Sequence, residues 1–165
     1  MSGTQGGFSG EERSDRLIQE HVHDPYRARK KIQGSAFCAQ CDAVYEKGRW
    51  IWGERPAGAK AESCPACSRI VENQPAGVVN LSGDFLADHN DEVINLARNE
   101  EEKEKGQHPL HRIMSIEDGK DATTITTTDI HLPRRIGEAL KSAYGGDLDY
   151  HYEEEAYFIR VNWSR

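Results

Sequence analysis

No apolar run in this chain approaches the ~18 residues needed to cross a bilayer. The opening Met1-Ser-Gly-Thr-Gln-Gly-Gly7 has neither the basic nor the apolar part of a secretory leader. From these two lacks a chain without a spanning helix or export, in a reducing cytoplasm, is expected. Hydrophobic residues make up only 36% of the chain against 30% charged. The core must therefore be small, and a small core is where a structural metal contributes most to folding.

Catalytic signatures are scarce too. There is no Gly-x-Ser-x-Gly elbow and no His-Glu-x-x-His helix. Acids are plentiful, but no pair stands out for proton transfer. Gly53 and Gly58 are spaced like parts of a phosphate loop, yet Lys60 falls one place late and Ala61 cannot ligate magnesium. Among the seven histidines only His21/His23 and His108/His111 are close in sequence. Neither pair lies beside a clear acidic ligand at motif spacing, so they read as surface residues. The chain is not expected to be an enzyme.

Against these absences stand the cysteines. All four fall in two pairs, Cys38-Ala-Gln-Cys41 and Cys64-Pro-Ala-Cys67, with 22 residues between them. Two residues inside each pair let the backbone form a knuckle whose thiolates converge on one ion. Two knuckles give the tetrahedral sulfur shell that zinc prefers. The expected cofactor is Zn2+ held by Cys38, Cys41, Cys64 and Cys67, structural because no coordination position is open. Iron in the same shell would make a rubredoxin-like one-electron carrier. The first pair, with Asp42 and Tyr45 beyond it, is similar to rubredoxin, although Asp42 and Ser68 stand where glycine usually follows each pair.

Charge divides the chain. The net charge is −7, but residues 76–165 alone hold ten basic and eighteen acidic residues. Any contact with phosphate backbone is therefore expected before residue ~70. Tyr26-Arg-Ala-Arg-Lys-Lys-Ile32 reads either as an arm for RNA or as a solvated helix turn. Arg49 and Trp52 near it suit phosphate contact and stacking, whereas Trp50 reads as ribbon core.

The expected organisation is a disordered tail at 1–8, a helical basic arm at 9–34 with a helix over about 10–22, and a zinc ribbon at 35–73. An acidic domain follows at 77–165. Within the ribbon, Ala43–Tyr45 and Gly48–Trp52 predict a hairpin, and Arg69-Ile-Val71 predicts a third short strand. Beyond the Asn73–Gly77 linker the periodicities read strand, helix, two strands about Asp118-Gly119, helix, and two strands. That order predicts an α+β chain: a four-cysteine ribbon followed by a ferredoxin-like βαββαβ(β) domain.

Several stretches carry a resemblance. His23-Asp-Pro-Tyr26, Cys38-x-x-Cys-x-Ala-Val-Tyr45, Gly48-Arg-Trp50 and Cys64-Pro-Ala-Cys-x-Arg69 are similar to a family of short bacterial zinc-ribbon proteins of unassigned function. Asn95-Leu-Ala-Arg-Asn-Glu100, His108-Pro-Leu-His-Arg-Ile-Met114 and Thr126-Thr-Thr-Asp-Ile-His-Leu132 extend the likeness. Members are sometimes labelled ATPase, which the failed phosphate loop does not support. More distantly, the layout resembles the amino-terminal part of the archaeal and eukaryotic adaptor that exports the large ribosomal subunit. This chain departs from it in having one metal site. The resemblance implies the four cysteine ligands and a shared surface around Arg49 and Arg69. Together these readings predict a cytoplasmic, ribosome-associated, RNA-binding zinc ribbon that is not catalytic. Arg27, Arg29, Lys30, Lys31, Arg49, Trp52 and Arg69 are its expected contact residues, and the acidic half is expected to face a protein partner or a second copy of itself. A protein–protein adaptor without nucleic acid, and the iron carrier, are the alternatives.

Overall fold

The computed structural model describes residues 24–28 and 31–165. The expected tail at 1–8, the helix at 10–22, and Arg29 and Lys30 lie outside the described residues.

The protein is mixed α+β, with two sheets. After a single helical turn, α1 (Pro25–Ala28), come β1 (Ala36–Phe37), β2 (Val44–Glu46), β3 (Arg49–Ile51) and β4 (Lys60–Ala61), in sheet order β3-β2-β1-β4. The β2–β3 hairpin turns on Lys47 (φ 52°) and Gly48 (φ 82°). Two successive positive-φ residues give the primed turn whose twist matches the strands it joins. Pairing of Tyr45 with Trp50 sets their rings 5.4 Å apart.

One expected strand is a helix instead. Arg69-Ile-Val71 lies in α2 (Pro65–Glu72). Its β-branched pair is exposed, Ile70 at 43% and Val71 at 73%, so no sheet burial favours a strand there. Local chemistry favours the helix: Cys64 caps it through a sulfur that accepts from Cys67 N–H, Pro65 occupies the first turn, and Asn73 ends it in the left-handed conformation.

The second unit comprises β5 (Gly77–Ser82), α3 (Asp84–Gln107), β6 (Ile113–Asp118), β7 (Ala122–Thr127), α4 (Leu132–Tyr144), β8 (Asp147–Glu153) and β9 (Phe158–Ser164). The sheet order is β6-β7-β5-β9-β8. β5, α3 and β6 form a split βαβ unit, with β7 antiparallel between the two strands. The far side departs from the ferredoxin-like expectation. A four-stranded version sets the strand after the second helix antiparallel beside the first strand. Here β8 goes to the edge, and β9 pairs parallel with β5.

Alternation along the strands sorts the sheet into two faces. Val79, Leu81, Ile125, Ile159, Val161 and Trp163 pack with Val93 and Ala97 of α3 and Ile136 and Leu140 of α4. The other face is mostly polar, including Asn80, whose side chain donates to Asn162 Oδ1 at 3.0 Å. No helix of the described residues is long and apolar enough to cross a membrane.

The close approach of α4 to the sheet depends on Gly77, where an added Cβ would lie 2.5 Å from Pro133 Cγ and 2.7 Å from Thr127 Oγ1. Neither a proline ring nor a buried β-branched side chain yields easily. Gly77→Ala is expected to destabilise by about 1–3 kcal/mol through overpacking. A lower urea midpoint at unchanged m-value checks it.

Candidate metal centre

The ribbon builds its knuckles from backbone turns. Cys38 closes β1, its N–H bonding Ala43 O at 2.8 Å, while Asp42 N–H returns to Cys38 O at 2.8 Å with Asp42 at φ 65°. Across the site, Cys64 N–H points at Cys38 Sγ at 3.4 Å and Cys67 N–H at Cys64 Sγ at 3.3 Å. These donors aim positive dipoles at sulfur and favour the thiolate form.

All four cysteines are free thiols, with one sulfur from each lying within 4.8 Å of the others. Cys41 Sγ and Cys64 Sγ are 3.7 Å apart. Four thiolates at ~2.3 Å from a tetrahedral zinc are spaced by about 3.8 Å. The donor set therefore fits a metal ion, and the same sulfur shell accommodates zinc or iron. Hydrogen bonding with Cys41 and Cys64, reinforced by the Arg112 guanidinium, brings the Cys67 thiol down to about 3. Cys64, bonded to Cys41 and Cys67 and buried, is pushed up. The sulfurs compete for shared protons, and a cation at their centre displaces those protons.

Arg112 is the residue that sequence reasoning missed. It precedes β6 in the second unit, yet its Nη2 lies 3.2 Å from Cys64 Sγ, 3.3 Å from Cys67 Sγ and 3.8 Å from Cys41 Sγ. The guanidinium thus caps one triangular face of the sulfur cluster. Four thiolates around a dication leave buried negative charge, which an adjacent cation partly neutralises. Its backbone is fixed as well: Arg112 N–H donates to Thr128 Oγ1 at 2.9 Å, and Thr128 N–H donates to Arg112 O at 2.9 Å. No spacing rule links an arginine 45 residues downstream to a Cys-x-x-Cys pair, so the sequence carried no signal for it.

The expected contact residues separate into two groups. Arg27, Lys31 and Arg49 are exposed. Arg69 is not offered to a partner. Its side chain is 5% exposed and paired with Asp24 at 2.7 Å, and its Nη1 donates to Gln74 O. The guanidinium also lies over the Tyr26 ring at 4.2 Å. Asp24, named in the sequence only within the His23-Asp-Pro-Tyr26 stretch, is therefore an internal ion-pair partner. Trp52 is half-buried, and its indole N–H donates to Lys105 O near the end of α3. It ties the ribbon to the second unit instead of offering a free ring. Trp50 is buried in the ribbon core, as expected.

The histidine pair His108/His111 departs from the surface reading. Both are half-buried beside Glu104, whose Oε2 lies 3.0 Å from His111 Nδ1. Burial opposes the His111 imidazolium, but Asp129 and Glu104 outweigh it and raise its pKa. Burial likewise acts to raise Glu104, yet His111 and Arg135 hold it below the ordinary carboxylate range.

No family model, curated protein or solved structure matches the chain.

Two outcomes follow. Asp24→Ala leaves a buried guanidinium without its carboxylate and is expected to cost roughly 3–5 kcal/mol, measured by denaturant unfolding against Arg69→Met/Asp24→Leu, which recovers much of the loss. Arg112→Met is expected to weaken metal retention by about 10–100-fold in competition with a chromophoric chelator, because it removes the donor to three sulfurs.

Proposed function

We propose that the protein is a non-catalytic zinc-ribbon adaptor whose ribbon docks on RNA, in the cytoplasm on the ribosome. The observation that carries this reading is a cleft of about 310 Å³ between the arm and the ribbon. Tyr26, Tyr45 and Trp50 give it aromatic walls, and Arg27 lines it together with Ser63 and Ser68. Lys31 and Arg49 are exposed chain neighbours of its lining residues Ile32 and Gly48. Flat rings beside cations hold unstacked bases by stacking and phosphate contact. Arg29 and Lys30 belong to the same basic run and extend the proposed contact.

The metal in this reading is zinc, closed on four sulfurs and therefore structural. It fixes the hairpin that presents Arg49. The resemblance to short bacterial zinc-ribbon proteins, and more distantly to the ribosomal-subunit adaptor, supports the same assignment. A ferredoxin-like relationship for the second unit rests on its split βαβ half alone.

One feature favours a second reading, a protein partner without nucleic acid. Residues 76–165 hold eighteen acidic residues against ten basic ones. On the polar sheet face Glu117 and Asp149 stand at the two ends of one cross-strand row through Thr124, Asn80 and Asn162.

Charge reversal at Arg27, Lys31 and Arg49 separates the two. The triple Glu variant is expected to leave the ribosomal fractions of a lysate gradient and to lose nuclease-sensitive partners. The natural chain should stay bound at low salt and dissociate as salt rises. Retention of all partners by the variant would favour the protein-only reading. A red protein with thiolate-to-iron bands would replace zinc with iron.

A further inference from the structure

The C-terminal end of α3 carries a second donor cluster, independent of the cysteines. Glu104 and His108 are one helical turn apart, with His108 N–H bonding Glu104 O at 2.7 Å, and His111 N–H bonds His108 O at 3.0 Å. The chain thus winds all three side chains to one side. One ligand atom from each lies within 4.8 Å of the others, and the Glu104–His111 contact is already 3.0 Å. A tetrahedral shell with ~2.0–2.1 Å bonds needs separations of about 3.4 Å. Small side-chain rotations close that gap.

The surroundings hold these donors as an outer shell holds metal ligands. Arg135 Nε lies 2.8 Å from Glu104 Oε1, which fixes the carboxylate and leaves Oε2 toward His111. Asp129 Oδ2 lies 3.5 Å from His111 Nε2, so Nδ1 is the nitrogen turned to the cluster. A carboxylate behind a ligating imidazole sets its tautomer and raises its basicity. Asp129 is itself fixed, accepting from His131 N–H at 2.8 Å and Leu132 N–H at 3.0 Å at the start of α4. Two buried carboxylates, Glu104 and Asp129, flank the site with Arg135 against Glu104, and the negative end of the α3 dipole lies alongside. The balance favours a cation.

We propose that Glu104 Oε2, His108 and His111 Nδ1 form a second metal site, taking a divalent transition cation of the zinc class. Two imidazoles and one carboxylate suit Zn2+ and leave one coordination position for water or a ligand. The site is back to back with the cysteine cluster: His111 belongs to one centre, and the next residue, Arg112, contacts the other.

The test is a metal count on the full chain. Equilibration with Zn2+ is expected to load two equivalents per chain, the second released first by a mild chelator. With Co2+ the cysteine site gives intense sulfur-to-metal bands, whereas the second equivalent adds only weak ligand-field bands. His108→Ala is expected to lose the second equivalent and keep the first, with the far-ultraviolet circular dichroism unchanged. Asp129→Asn, which still accepts from the α4 backbone, is expected to weaken the second equivalent by about 10–100-fold. Saturation of the natural chain at one equivalent overturns the proposal. So does a second equivalent that binds both variants with unchanged affinity.

Discussion

A guanidinium from the second unit rests against the sulfurs of the first, and much of the architecture depends on that contact. Arg112 reaches Cys41, Cys64 and Cys67 from a backbone locked to Thr128 at the end of β7. Charge in a buried place is unfavourable without a partner. Here the sulfur cluster and a buried arginine each supply what the other lacks. The ribbon therefore does more than stabilise itself, since its sulfurs also anchor the entry to β6. Trp52, bonded to the α3 carboxyl end, and the Asp24–Arg69 pair, stacked toward Tyr157, reinforce the joint from two other sides.

This joint explains why a chain with so few apolar residues holds two sheets together. The ribbon core is small: Ala36, Ala43, Trp50 and Ala66 around the cysteines. Such a cluster buries little apolar surface, and a metal ion held by the four sulfurs would add the stabilisation it lacks. The larger core beneath α3 and α4 needs no such help. Its strands alternate apolar and polar side chains, and the helices bury Val93, Ala97, Ile136 and Leu140. Net charge divides along the same line, with eighteen acidic against ten basic residues in 76–165.

Much of the fold was legible because its signals are local. The Cys-x-x-Cys spacing located the sulfur cluster, the Ala43–Tyr45 and Gly48–Trp52 runs located the hairpin, and periodicity located every long element of the second unit. Where local signals conflicted, the reading failed. Ile70 and Val71 suggested a strand, but the Cys64-Pro65 cap and the lack of a burying partner made a helix. The sheet order was hidden because β8 and β9 read alike as alternating strands, and only tertiary packing decides which one lies beside β5. The candidate site was legible in its ligands but not in its neighbours. Arg112, Asp24 and the Glu104–His111 contact are long-range or cross a helix end, and no spacing rule reports them. Arg69 was misplaced for a related reason: a cation in a ribbon looks like a contact residue until its buried carboxylate is found.

The central claim is that sulfur cluster and second unit form one mechanical piece through Arg112. Residue-resolved amide hydrogen exchange on the full chain, with its metal and after chelation, tests this most directly. Metal removal is expected to speed exchange not only at Cys64 and Cys67, whose N–H groups face sulfur, but also at Arg112 and Thr128, which bond to each other. Faster exchange confined to the ribbon, with Arg112 and Thr128 as protected as before, would contradict it.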